Sequence, residues 1–258
     1  MRILDYNSFI NQDRQKVQSV NEHLWSGIIH RSESGEERKE DLICSTKEDI
    51  QRKIQEIIDK THPKKGDIID LNHLNVSSVE DMSKLFYDYE NHINFTEYNF
   101  NISKWDVSNV KDMSFMFFGC ERFNCDLSRW DVSSIENMYA MFYLCKNFNC
   151  DLSNWDVSSV TNMWHMFGGC MNFNSDLSKW NVSSVTNMEC MFLGCEKFNS
   201  NLSNWKVSKK TRMCGMFSGC ENFNSDLSKW NVSKKTRMKG SMFDGCSSLK
   251  KLPDWYHD

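Results

Sequence analysis

The sequence predicts an α/β solenoid of about seven 25-residue turns, each a helix plus a short strand, behind an N-terminal helical cap. Two observations lead there. Trp105, Trp130, Trp155, Trp180, Trp205, Trp230 and Trp255 recur every 25 residues. Met-Phe pairs keep the same beat from Met116-Phe117 to Met216-Phe217, and slip by one at Met242-Phe243, after an insertion near Gly240. A fixed period of roughly 20–50 residues marks stacked units, none of which can bury its apolar face alone. A degenerate copy, "LNHLNVSSVEDMSKLF" (Leu71 to Phe86), opens the series with Leu74 at the tryptophan position. Six extra residues inside "YDYENHINFTEY" separate it from the next copy. The chain therefore divides into a helical and linker cap region, residues 1–66, and a repeat solenoid, residues 67–258.

In chain order, "QDRQKVQSVNEHLWSGIIH" places Val17, Val20, Leu24, Trp25, Ile28 and Ile29 on one helical face. Such a helix either docks on the repeats or serves assembly with a partner. "RSESGEERKED" reads as a solvated linker. "TKEDIQRKIQEIIDKTH" reads as a second helix with Thr46 as cap, a stripe of Ile50, Ile54, Ile57 and Ile58, and Pro63 beyond its end. It is expected to cover the first turn, since solenoids need closed ends.

Within a unit, "DLSRWDV" is expected to be a brief extended segment, with Leu127, Trp130 and Val132 stacking on their equivalents. Ile135, Met138, Met141, Phe142 and Cys145 follow at i, i+3, i+6, i+7 and i+10, one face of a helix. Ser133 is its expected cap, with Glu136 completing a capping box. Gly119, Gly169, Gly194, Gly219 and Gly245 fall where a left-handed residue would end it. The column Asn124, Asn149, Asn174, Asn199 and Asn224 is expected to bond the backbone of adjacent turns, and Asp126, Asp151, Asp176 and Asp226 to hold turn amides.

The net charge is only −4, yet residues 201–258 hold eleven Lys and Arg against five Asp and Glu, a local +6 against −10 elsewhere. No apolar run approaches membrane-spanning length, and the N-terminus has no signal-peptide core. A cytoplasmic protein without membrane contact is the expectation. The eleven cysteines are odd in number, and Cys120, Cys145, Cys170, Cys195, Cys220 and Cys246 simply follow the repeat. They read as small buried hydrophobes, and pairs such as Cys120/Cys125 lack the short spacing of zinc knuckles. None of the seven histidines pairs with a nucleophile, and no glycine loop cradles phosphate. No catalytic residue, metal or cofactor is assigned, and the protein is read as a non-enzyme.

Core columns are fixed by packing, so function must lie where turns differ. Phe115, Phe118, Tyr139, Tyr143, Trp164 and His165 flank the Met-Phe pairs of the early turns. On the expected helices they form an outer aromatic face, suited to a protein partner or covered by the N-terminal segments. In the late turns "KVSKKTRM" and "NVSKKTRM" set Lys206, Lys209, Lys210, Arg212, Lys234, Lys235, Arg237 and Lys239 in matched rows. Lys210 and Lys235 stand where other turns have a core valine, so their stems must snorkel or the core must open. These rows suit an acidic partner or nucleic-acid phosphate, or they record the duplication of one unusual unit.

The phrase "FNxDLSxWDVSxVTNMxxMFxGC" resembles the repeat of the BspA-type leucine-rich-repeat surface-protein family, also seen in mycoplasma lipoproteins, over residues 67–255. The resemblance implies leucine-rich-repeat-like solenoid turns and adhesion or partner binding without catalysis. Family members are commonly exported. The expected function is a non-enzymatic scaffold for protein–protein interaction. The alternatives are polyanion or nucleic-acid binding by the basic turns, a structural part of a larger assembly such as a phage particle, and adhesion.

Overall fold

The computed structural model describes residues 42–232 and 242–256. The expected helix of Val17 to Ile29, the linker of Arg31 to Asp41 and the insertion near Gly240 lie outside the described residues. Lys39–Asp258 forms one compact unit.

Helix α1 (Lys47–Thr61) begins as its sequence dictates. The Thr46 side chain accepts from Asp49 N, and the Asp49 carboxylate accepts from the Thr46 backbone, a full capping box. Ile50, Ile54 and Ile58 are buried against the first repeat unit. The buried Gln51 donates its amide to Lys84 O (3.4 Å) and Leu85 O (3.1 Å), satisfying carbonyls at that end of the stack. Strand β1 (Ile68–Asp70) pairs in parallel with β4 (Asn99–Asn101). The six-residue insertion folds as an antiparallel pair, β2 (Tyr87–Asp88) with β3 (Ile93–Asn94).

From there each unit differs from the expectation. In place of a helix and a strand, the chain runs through consecutive tight turns. Between Leu127 and Phe148, six amides donate three residues back within the unit: Trp130 to Leu127 O, Ile135 to Val132 O, Met141 to Met138 O, Tyr143 to Ala140 O, Cys145 to Phe142 O and Phe148 to Cys145 O. The alternating amides donate instead to the next unit: Met138 to Asn162 O (3.0 Å), Ala140 to Trp164 O (2.8 Å), Phe142 to Met166 O (2.9 Å) and Leu144 to Gly168 O (2.7 Å). A helix would spend those donors internally. Two residues per unit are left-handed, which also breaks a helix. One column is Phe115, Ala140, His165, Cys190 and Gly215, the other Gly119, Leu144, Gly169, Gly194 and Gly219. The non-glycine members cost about 1–2 kcal/mol each, offset by inter-unit bonding and core burial. The expected strand at "DLSRWDV" is likewise absent: Ser128 and Arg129 form a turn within irregular chain. The parallel bridges fall instead at Asp81, Asp112, Asn137, Asn162, Asn187 and Arg212.

The apolar periodicity did mark what is buried. Met138, Met141, Phe142 and Cys145 are fully buried, as are their equivalents two units on. Phe142, Phe167, Phe192 and Phe217 stack at 5.7 Å, and Phe148, Phe173, Phe198 and Phe223 at 5.9–6.1 Å. Tryptophan, cysteine and asparagine groups of this core are answered across units. Trp155 Nε1 donates to Leu127 O (3.0 Å) and Trp180 Nε1 to Leu152 O (3.0 Å). Cys145 Sγ reaches Phe117 O and Cys170 Sγ reaches Phe142 O, both at 3.0 Å. Cysteine is thus a donor here as well as a hydrophobe. Asn149 Oδ1 accepts from Asn174 N and Asn174 Oδ1 from Asn199 N, both at 2.8 Å, as the asparagine column suggests. Asp131 Oδ1 accepts from Ser133 N (3.1 Å) and Oγ (2.6 Å), so Ser133 closes an aspartate turn and caps no helix.

Candidate functional site

The aromatic residues singled out in the sequence come together, on turns in place of helices. Phe115 meets Tyr139 edge-on at 4.5 Å and Phe118 at 5.8 Å. Tyr139 stacks on Trp164 at 4.9 Å, and Phe118 lies 5.7 Å from Tyr143. Tyr143 and Trp164 both border His165, at 4.9 and 5.5 Å. Tyr87 extends the row, stacking on Phe118 at 5.4 Å. Seven rings from four successive units make one surface, every member half-buried. Tyr87 follows the Leu85-Phe86 pair of the degenerate copy as Phe118 follows Met116-Phe117, so extending the column back one unit would have found it.

The arrangement follows from the ladder. Phe115 N donates to Tyr139 O (2.8 Å), and His165 N to Glu189 O (3.0 Å). The left-handed residue of one unit is thereby set beside the preceding column of the next. Burial raises the Tyr139 hydroxyl above its ordinary value and holds the His165 imidazole down at about 4. The ring is neutral at neutral pH, and its buried Nδ1 has no hydrogen-bond partner.

The basic row divides. Lys206, Lys209, Lys210 and Arg212 are exposed. Lys210 does not enter the core, and the core does not open. Thr211 takes the valine slot instead, fully buried, its Oγ1 donating to Val185 O at 2.8 Å. The turn is one residue longer before that slot and one shorter after, because a threonine methyl fills the site and its hydroxyl finds a carbonyl, whereas an ammonium would stay unpaired. Arg212 reaches Glu189, at 2.6 Å, and so is turned toward the neighbouring unit. Lys234, Lys235, Arg237 and Lys239 lie outside the described residues. An open polar groove of about 610 Å³ follows the asparagine column, lined by Asn174, Asn199, Asn224 and Lys250 among others. Among the described residues no group of three or more His, Cys, Asp or Glu could hold a metal ion, and no helix is long and apolar enough to cross a membrane.

Near-identical units, bonded one to the next and presenting a varied outer column, define a repeat protein. The chain belongs to the family described as "Mycoplasma protein of unknown function, DUF285", which matches residues 53–169 and again 149–255. No curated protein and no solved structure matches it.

Proposed function

We propose that the chain is a non-enzymatic solenoid scaffold that binds another protein through the face of Tyr87, Phe115, Phe118, Tyr139, Tyr143, Trp164 and His165. The observation that carries this is the continuity of the rings across four units, against an otherwise repetitive surface. Aromatic side chains fixed on a bonded frame offer wide contact area at small conformational-entropy cost, and interface hot spots are rich in Trp and Tyr. On this reading the repeat is of the BspA-type leucine-rich kind, whose members serve adhesion or partner binding.

The test is capture from host lysate at low and high salt, with wild type beside a Phe115→Ala/Tyr139→Ser/Trp164→Ser variant. Ala140 and Ser114 already occupy these columns, so the variant keeps the fold. A protein held at high salt by wild type and lost at least tenfold by the variant is the expected result. Equal capture by both sinks the aromatic face. A polyanion reading rests on exposed Lys206, Lys209 and Lys210. It requires capture that falls steeply with salt, is unchanged in the aromatic variant, and is lost in Lys209→Glu.

A further inference from the structure

We propose that Cys190 and Cys214 form a dithiol site that takes a small-molecule disulfide as substrate and closes into a disulfide between adjacent units. Ten of the eleven cysteines fall into distinct groups, and the remaining one, Cys44, is fully buried. Cys120 and its repeat equivalents are buried, and from Cys145 onward each donates to a carbonyl of the preceding unit. Cys125 and Cys150 accept backbone amides, from Ile102 N at 3.4 Å and Leu127 N at 3.1 Å. They stand where Ser175 and Ser200 do the same with hydroxyls. Packing and hydrogen bonding account for both groups. Cys190 and Cys214 stand outside both groups, the Cys190 thiol donating to the following unit and not to the preceding one. They occupy the two variable columns, where earlier units carry aromatic rings, and both are half-buried.

Their placement is that of a pair. Cys190 N donates to Cys214 O at 2.9 Å, the same bond that joins Phe115 N to Tyr139 O at 2.8 Å. In that earlier pair the two side chains meet at 4.5 Å. Such a ladder bond sets the backbones about 5 Å apart, inside the Cα separation of roughly 4.4–6.8 Å that a disulfide spans. Cys190 Sγ already lies 3.7 Å from Cys214 O. The neighbouring Gly215 leaves room: a Cβ there would sit 3.2 Å from Cys190 Sγ.

The reaction is two thiol–disulfide exchanges. Cys214 is the more exposed thiol; burial still raises it above its ordinary value, Glu189 adds to this and Arg212 opposes it. It gives its proton to solvent and attacks one sulfur of the small disulfide. That S–S bond breaks and one small thiolate leaves, taking up a proton. Cys190, pushed up to about 11 mainly by burial, with Cys214 and Glu189 adding to it, then loses its proton. It attacks Cys214 Sγ and expels the second small thiolate. Two protein thiols are oxidised to one disulfide, and one small disulfide is reduced to two thiols.

The experiment equilibrates the full chain in mixtures of reduced and oxidised glutathione, quenches with acid, alkylates remaining thiols and maps the digest by mass. The expected result is a linked pair of peptides carrying Cys190 and Cys214, two hydrogens lighter than the reduced pair. It should rise from absent to the major species as the oxidised fraction grows, and vanish with a dithiol reductant. Cys190→Ala and Cys214→Ser, whose replacements stand naturally in those columns as Ala140 and Ser114, should abolish it. In Cys190→Ala a glutathione adduct should accumulate on Cys214. Alkylation of both thiols at every ratio overturns the proposal. So does a wild-type adduct on Cys214 that never resolves, or a Cys125–Cys150 link formed instead.

Discussion

His165 carries a buried ring nitrogen with no hydrogen-bond partner, so its protonation is a stability matter. Burial holds the folded imidazole at about 4, against an unfolded value of about 6.5. Between these values the unfolded chain binds a proton that the folded one refuses, so stability falls as pH drops from about 6.5 to about 4 and levels below. The full effect is on the order of 3 kcal/mol. The carboxylates of Asp126, Asp131, Asp151 and Asp176, held below their ordinary value by serine hydrogen bonds, lose their contribution at lower pH still. Urea midpoints followed across this range should decline for wild type and run flatter for His165→Phe, a residue that Phe115 shows the column accepts. An equal slope in both would remove His165 as the cause. At this scale the tryptophan, phenylalanine and asparagine columns were legible, because a strict period fixes each position's environment. Thr211 was not: which of "KKTR" enters the core depends on a one-residue slip that only the Val185 carbonyl decides.

A single unit is held less by its own bonds than by those it makes to its neighbours. Trp180 shows this, its Nε1 donating to Leu152 O in the preceding unit at 3.0 Å. Leu152 O also accepts the Trp155 amide at 3.1 Å, so Trp180→Phe keeps most of the ring and removes one of two bonds to a buried carbonyl, and a loss of about 1 kcal/mol is expected. A urea titration measures it, and an unchanged midpoint would mean that the Trp155 amide alone satisfies the carbonyl. The unit is also where sequence reasoning went astray. Apolar residues at i, i+3, i+6 and i+7 mark a buried face, but a run of turns closed three residues back produces nearly the same spacing as a helix. The distinguishing facts are non-local. Met138, Ala140, Phe142 and Leu144 send their amides to the next unit, and Phe115, Ala140, His165 and Cys190 are left-handed in a column where, among the described residues, glycine stands only at Gly215. The glycines that suggested helix ends are left-handed too, but they close turns.

For the whole molecule, nearest-neighbour bonding makes length adjustable in steps of one unit. Removing residues 176–200 leaves each column in register, so the shortened chain should fold and melt in a cooperative transition by circular dichroism. Removing residues 176–199 shifts every later column by one, and that chain should fail to fold. Equal behaviour of the two deletions would contradict the ladder. The six aromatic residues were legible as a set, and Tyr87 was missed because the column was not carried back into the degenerate copy, where it stacks on Phe118. The same stacking gives the protein an optical character. Trp155, Trp180, Trp205, Trp230 and Trp255 lie 6.1–6.5 Å apart with planes within 5°, and each indole N–H points at the equivalent carbonyl. Their transition dipoles are therefore aligned in the plane as well as between planes. Excitation absorbed by one indole is therefore expected to pass along the column with its polarisation kept, as far as half-buried Trp255 at the end of the row.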